Sequence, residues 1–197
     1  MNIGVLAMQG AFREHIAMLR KFPDVTAFTV RRAEELSQCD GLIIPGGEST
    51  TIGKLLRDFH LMEPLREKIE EGLPVWGTCA GLILLAKTID GQDDTYLRTM
   101  DIQVKRNAYG RQIDSFSETA DIPFLGGAHP LVFIRAPYIQ AVGPGVTVLL
   151  SLHGHIVAAE EKNMLATSFH PELRDDPAFH QYFINKTAAH LASLGKG

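Results

Sequence analysis

Pro74-Val75-Trp76-Gly77-Thr78-Cys79-Ala80-Gly81-Leu82-Ile83-Leu84-Leu85-Ala86-Lys87 is the stretch that decides how this chain folds. An apolar run, Pro74-Val75-Trp76, reads as a buried strand, and Leu82–Lys87 reads as a helix. Between them lies Gly77-Thr78-Cys79-Ala80-Gly81, a G-x-C-x-G string in the strand–turn–helix setting of a nucleophile elbow. Its glycines permit a sharp turn and leave the sulfur uncrowded. Such a turn pushes Cys79 out at the carboxyl end of a strand, where open α/β sheets bind their ligands. A helix start beyond the cysteine favours an anionic sulfur and turns backbone N–H groups towards an oxyanion.

Outward from the elbow, the first half alternates strand and helix. Ile3–Met8, Thr26–Val30 and Gly41–Ile44 are short, β-branched runs of the kind that form buried parallel strands. Phe12–Phe22 places Phe12, Ile16, Leu19 and Phe22 at helical spacing. Ile52–Phe59 and Glu63–Glu71 are also helix-like, with Gly72 as a stop. This alternation predicts right-handed β-α-β units and a parallel sheet covered by helices on both faces. In the second half, Met100–Lys105, Leu131–Arg135, Val146–Leu152, His155–Glu160 and Met164–Phe169 are strand-like with little helix between them. Antiparallel hairpins are therefore expected there, with Glu161-Lys162-Asn163 as a tight turn. Pro177–Leu191 is expected as a closing helix, and the polar, glycine-bearing Asp114–Gly127 as a surface loop. The prediction is a single α/β domain over residues 1–197, with a mostly parallel twisted sheet and antiparallel additions in the C-terminal half.

Composition narrows the function by exclusion. The 197 residues are 45% hydrophobic and 21% charged, ordinary for a globular chain, with a net charge of −4. A mildly acidic chain with no basic cluster has no footprint for nucleic acid or for an anionic membrane surface. No apolar run approaches a bilayer span. The opening Met1–Met8 has no basic region or cleavage site, so a cytoplasmic protein is expected. Two cysteines are too few for a disulfide scaffold and fit a reducing compartment.

A thiol nucleophile needs a general base, and the base needs a third group to orient it. Of the eight histidines, His15, His60, His180 and His190 lie in helical patterns and read as solvated or core-satisfied. His170-Pro171-Glu172 differs, because it follows an apolar strand and so places His170 at a strand end. Proline biases the residue before it towards extended backbone. In an extended segment residues two apart share a side, so Glu172 can reach back to His170. A turn or helix start remains the alternative reading of Pro171-Glu172. His153-Gly154-His155, with His129, is too sparse for a metal site, and none is expected.

The strand Gly41–Ile44 runs into Pro45-Gly46-Gly47-Glu48-Ser49-Thr50-Thr51. Paired glycines at a strand end let N–H groups turn inward as an oxyanion hole or anion nest. Ser49, Thr50 or Thr51 could equally cap the helix that follows. The string lacks the lysine and spacing of a P-loop.

Taken in order, Pro45-Gly46-Gly47-Glu48-Ser49, Gly77-Thr78-Cys79-Ala80-Gly81 and Phe169-His170-Pro171-Glu172 resemble the class I, triad-type glutamine amidotransferases, whose sheet is flavodoxin-like. The opening Ile3-Gly4-Val5-Leu6-Ala7-Met8-Gln9-Gly10-Ala11, the full Pro45–Thr51 string and Val104-Lys105-Arg106-Asn107-Ala108-Tyr109-Gly110-Arg111-Gln112 are similar to the glutaminase subunits of pyridoxal 5′-phosphate synthases. The resemblance implies Cys79 as nucleophile, His170 as base and acid, and Glu172 as orienter. It implies an oxyanion hole from the N–H groups of Gly47 and Ala80. It also implies an L-glutamine site lined by Gly47, Glu48, Ser49, Arg106, Ile134 and Arg135.

By the same resemblance the chain binds no cofactor, pyridoxal 5′-phosphate being the product of the complex. The implied partner is a (β/α)₈-barrel synthase subunit that consumes the ammonia, and docking that completes the oxyanion hole would make activity depend on it. The first helix and the Gln9 loop are the implied docking face. Glutaminases serving other acceptors, cysteine peptidases or γ-glutamyl hydrolases of similar topology, and a non-catalytic subunit with a vestigial pocket remain as alternatives.

Overall fold

The computed structural model describes residues 1–106 and 115–195. Along the chain run β1 (Asn2–Leu6), α1 (Phe12–Leu19), β2 (Thr26–Val30), β3 (Gly41–Ile44), α2 (Ser49–Asp58) and α3 (Met62–Glu70). Then come β4 (Val75–Thr78), α4 (Ala80–Leu85), β5 (Ala86–Ile89), β6 (Met100–Lys105), β7 (Ser115–Ile122) and β8 (Gly127–Ile134). β9 (Tyr138–Val142), β10 (Thr147–Leu152), β11 (His155–Glu161), β12 (Met164–Thr167) and α5 (Ala178–Ser193) complete it.

The main sheet has the order β2-β1-β3-β4-β12-β11-β9-β6-β5, with β10 pairing β11. From β2 to β12 every pairing is parallel. From β11 onward the pairings are antiparallel except β5 with β6. The switch follows from connection length. A helix-length crossover returns a strand parallel, whereas Glu161-Lys162-Asn163, with Lys162 at φ 52°, is a tight turn and forces β11 and β12 antiparallel.

The parallel strands bury both faces, and alternation sorts their side chains into two cores. Leu6, Leu42, Ile44, Val75, Met164 and Ala166 face Ile52, Leu56, Leu65, Ile69, Leu82 and Leu85 of α2, α3 and α4. Ile3, Val5, Ile43, Trp76 and Leu165 face the other way, against Ile16 and Leu19 of α1 and Phe179 and Phe183 of α5. Trp76 stands at the centre of this second core, tilted against Phe183 at 5.8 Å between centroids. Its indole N–H donates to the Thr167 hydroxyl at 3.0 Å, so the one polar atom of the ring is satisfied.

Three expectations need correction. Asp114–Gly127, read as a surface loop, holds β7, which pairs with β8 over Ser115–Ile122; Asp114 itself lies outside the described residues. The polar alternation Ser-Phe-Ser-Glu-Thr-Ala-Asp-Ile reflects a hairpin with one wet face, and Ala120 and Ile122 join Leu131 and Phe133 in the second core. Leu82–Lys87 is not helical throughout, because the helix ends at Leu85 and Ala86 turns extended at φ −62°, ψ 137° into β5. Tyr138–Val142, given no element from sequence, is the strand that joins β11 to β6.

Phe183 of α5 is fully buried against Trp76 of the sheet. Phe183→Ala is expected to cost about 3–5 kcal/mol of unfolding free energy. Denaturant titration checks this, and a loss below about 1 kcal/mol would mean the second core collapses around the gap.

Candidate active site

The elbow forms as the strand–turn–helix pattern requires. β4 ends at Thr78, α4 begins at Ala80, and Cys79 between them sits at φ 51°, ψ −102°. A side-chain-bearing residue in such backbone costs on the order of 1–3 kcal/mol and persists only where its surroundings hold it. Two contacts do so. The Cys79 N–H donates to the Thr167 carbonyl at 2.8 Å, and α4, every residue of which is buried, packs across the sheet edge. That packing is close enough that a Cβ on Gly81 would lie 2.0 Å from the Ile44 carbonyl oxygen. Cys79 is 6% exposed, with its Sγ 3.8 Å from the Ile134 carbonyl oxygen at the end of β8.

His170 follows β12, and its N–H donates to the Val132 carbonyl at 2.8 Å, so β8 sets its backbone. Its Nδ1 lies 2.7 Å from Glu172 Oε1. The contact is made differently from the extended-strand expectation, because Pro171–Leu173 form a 3₁₀ turn that folds Glu172 back beneath the imidazole. The Glu172 side chain has no exposure to solvent. On its other side the imidazole interacts with the Cys79 side chain. Burial alone would lower the His170 pKa; its interactions with Cys79 and Glu172 overcome that and push the value up to about 10. Cys79, 91 residues before His170 in the chain, thus comes together with the His170–Glu172 pair.

The glycine pair after β3 closes the array from above. A Cβ on Gly46 would stand 2.3 Å from His170 Cε1, so only glycine leaves room for the ring. The Gly46 carbonyl accepts from the Ala11 N–H at 2.9 Å, and the Glu48 N–H donates to Gln9 Oε1 at 2.8 Å. The loop after β1 thus clamps the Gly46–Glu48 segment. The helix cap is neither Ser49, Thr50 nor Thr51. Glu48 fills that place, its carboxylate accepting from the N–H groups of Thr50 (3.2 Å) and Thr51 (2.7 Å). A carboxylate spans the same gap as a hydroxyl and adds favourable charge at a helix N-terminus. Burial is the largest single influence and opposes ionisation, but the hydrogen bonds from Thr51 and Thr50 together outweigh it and hold the Glu48 carboxyl below its usual range. Arg106 reaches Glu48 Oε1 at 3.2 Å and Gln92 Oε1 at 3.0 Å. The remainder of the Val104–Gln112 string, from Asn107, lies outside the described residues.

These groups enclose a cavity of about 470 Å³. Gly47, Glu48, Ser49, Cys79, Ala80, Arg106, Ile134, Arg135 and His170 all line it, and Glu172 stands behind His170. Gln9, Gly10, Ala11, Ile83 and Leu173 complete the wall. The Ser49 hydroxyl is buried with no hydrogen-bond partner among the described residues. A second cavity of about 490 Å³ carries Arg57 and Arg66, but both are spent on Asp94 and Glu63. The chain's second thiol is chemically unlike the first. Burial chiefly pushes Cys39 up to about 12, only partly offset by a hydrogen bond from the Gly4 backbone.

His15 and His180, read from sequence as ordinary helix histidines, are both fully buried and lie under the array. His15 Nε2 is 3.4 Å from Glu172 Oε2, and His15 Nδ1 is 2.9 Å from His180 Nε2. No local pattern announces a contact between residues 165 apart. Three further histidines have partners of their own: His129 meets Asp176 at 2.8 Å, His153 meets Glu118 at 2.8 Å, and His155 stacks on Tyr138. Among the described residues no cluster of His, Cys, Asp or Glu has a metal-holding arrangement, and no helix is long and apolar enough to cross a membrane.

Residues 5–189 match the model of the SNO glutamine amidotransferase family. A curated relative from Carboxydothermus hydrogenoformans, called pyridoxal 5′-phosphate synthase subunit PdxT, is 58% identical over 193 residues, spanning 97% of this chain and 100% of the relative. Its namesake from Clostridium botulinum is 55% identical over 186 residues, spanning 94% and 96%. A crystal structure described as a glutamine amidotransferase aligns with a TM-score of 0.89 at 45% identity, covering 94% of this chain and 98% of that one. The PurLQS structure from Thermotoga maritima, at 15% identity and a TM-score of 0.63 over 93% of this chain and 97% of that one, shares the fold alone. With its model spanning nearly the whole sequence, and relatives above half identity, this chain belongs to the SNO glutamine amidotransferase family.

Proposed function

We propose that this chain hydrolyses L-glutamine to glutamate and ammonia, and that it serves as the glutaminase subunit of a pyridoxal 5′-phosphate synthase. The observation that carries the reading is Cys79 and His170 lining one cavity of about 470 Å³, with Glu172 holding His170 from behind at 2.7 Å. The names of the relatives support the assignment to vitamin B6 synthesis.

In this reading the Cys79 sulfur attacks the side-chain amide carbon, and the carbonyl oxygen takes up the negative charge. Backbone N–H groups of Gly47 and Ala80 receive it, each worth about 2.7–4 kcal/mol in the transition state. His170, protonated and held by Glu172, gives its proton to the departing nitrogen, leaving ammonia and a γ-glutamyl thioester. Water, deprotonated by His170, then attacks the thioester; glutamate leaves and the sulfur is restored. Glu48, Arg106 and Arg135 put charges of both signs at the cavity rim, the complement of an α-ammonium and an α-carboxylate. Ile134 and the Ser49 hydroxyl complete the wall near them.

Ammonia released near neutral pH protonates and ceases to be a nucleophile, so its consumer must sit beside its source. The partner is a synthase subunit, a (β/α)₈ barrel, docking near Gln9 and α1 at the mouth. The chain needs no cofactor of its own, since pyridoxal 5′-phosphate is the product of the assembly. Two free thiols suit the reducing cytoplasm.

Ammonia release from glutamine, with and without the synthase subunit and with γ-glutamyl peptides as competing substrates, tests the reading. Cys79→Ala is expected to lower release by at least about 10³-fold; full activity in that variant would sink it, and preference for γ-glutamyl peptides would mark a different hydrolase.

The pH dependence follows from His170. Its folded value of about 10 lies above the 6.5 of a free histidine, so its stabilising contribution is complete below pH 6.5 and is lost as pH rises through 10. Glutaminase activity should therefore hold into the alkaline range and fail near pH 10, where the leaving group loses its proton donor. NMR titration of the His170 ring checks the assignment: the midpoint should fall in Cys79→Ala, and a midpoint near 6.5 in the unaltered chain would contradict it.

A further inference from the structure

We infer that His15 is a positioning residue, donating from Nε2 to the inner oxygen of Glu172 and thereby aiming that carboxylate at His170, with His180 setting the His15 tautomer. The inference rests on the triad reading above. Glu172 has two oxygens with different neighbours. Oε1 meets His170 Nδ1 at 2.7 Å, while Oε2 is buried and makes no hydrogen bond among the described residues, with His15 Nε2 in electrostatic contact 3.4 Å away. An ionised oxygen with no donor in a dry core is costly, and an imidazole N–H is the donor at hand.

The partners decide where the protons sit. A neutral imidazole has one N–H. If His15 carries it on Nε2, the N–H faces the Glu172 carboxylate and the Thr78 hydroxyl at 3.3 Å, and the bare Nδ1 accepts from His180 Nε2 at 2.9 Å. His180 Nδ1, which has no hydrogen-bond partner among the described residues, is then only a lone pair. The opposite assignment would turn a lone pair towards the carboxylate and strand an N–H at His180 Nδ1. The first arrangement runs N–H to acceptor from His180 through His15 to Glu172, and ends on the anion.

Neutrality matters as much as direction. A cationic His15 would compete with His170 for the charge of Glu172; a neutral one orients the carboxylate without drawing it away. Burial keeps both inner rings neutral. It holds His15 well below its usual value, helped by His180 and His170, and it pushes His180 down to about 3 against the pull of Asp176. The charged and titratable groups around the carboxylate are Cys79, His170, His15 and His180, with Asp176 and Lys21 acting on His180 from farther out. Trp76 packs edge-on to both inner rings, at 5.6 Å from His15 and 5.0 Å from His180, and fixes their planes.

The test compares His15→Phe, which keeps the ring against Trp76 but removes the donor, with His15→Gln, whose amide N–H can replace Nε2–H. Both are assayed for glutamine hydrolysis in complex with the synthase subunit, with folding checked by thermal melting. His15→Phe is expected to lose kcat by about tenfold or more at unchanged KM, with the alkaline limb of the pH profile moved to lower pH. His15→Gln should recover part of both. Unaltered kcat and pH limb in a folded His15→Phe would overturn the inference, as would equal losses in the two variants. Nitrogen-15 NMR of the unaltered chain decides independently of activity and of variant folding. His15 should carry its proton on Nε2, and a proton on Nδ1 would overturn the proposal. An unaltered complex that released no ammonia would refute the glutaminase reading and leave the tautomer measurement to judge His15.

Discussion

One peptide unit, Cys79 at φ 51° and ψ −102°, governs the carboxyl edge of this sheet. Strain of this kind survives only where neighbours allow no relaxation. The hydrogen bond to Thr167 ties the cysteine into the β4–β12 ladder, and the buried α4 presses from the other side. Both need backbones to approach without side chains between them, which Gly81 against Ile44 makes possible. The same edge admits the His170 ring against Gly46. Main-chain packing therefore aims the Cys79 Cβ, leaving a single side-chain torsion between the backbone and the sulfur.

The antiparallel half of the molecule contributes as much to the site as the parallel half. The β7–β8 hairpin belongs to neither end of the main sheet, yet the Val132 carbonyl seats His170 and the Ile134 carbonyl faces the Cys79 sulfur. Nucleophile and base thus follow neighbouring strands of the main sheet, β4 and β12, and both lean on β8 of the hairpin, the two sheets meeting in the second core through Phe133 and Phe169. Inside that core the electrostatic arrangement is layered: a raised histidine next to the sulfur, a buried carboxylate beneath it, and two histidines kept neutral below. Burial acts on all three rings, and only at His170 do the neighbouring groups outweigh it.

How much of this could be read in the sequence depended on how local the physics was. Thr26–Val30, Gly41–Ile44 and Met100–Lys105 matched their strands end to end, because a β-branched run between breakers carries its own boundaries. Ser115–Ile122 did not, since half its residues face solvent and only β8 across the ladder makes it a strand. Cys79, Gly47 and His170 announced themselves through glycine and proline patterns that restrict backbone shape. His15 and His180 had no such signal: each sits in an ordinary helix, and only the folded sheet brings them to Glu172. The Glu48 cap was hidden for a similar reason, since hydroxyl residues next to it satisfied the usual preference.

The contrast between the two thiols has a practical side. Cys39 keeps its proton until about pH 12, so at neutral pH it is nearly inert towards electrophiles. Cys79, at the floor of a narrow cavity, is reached only by a small reagent or by one shaped like an amino acid. A warhead carried on a glutamine scaffold would then mark each chain at one position, and the mass of the labelled protein would count assembled sites directly, with the second cysteine as a silent internal standard.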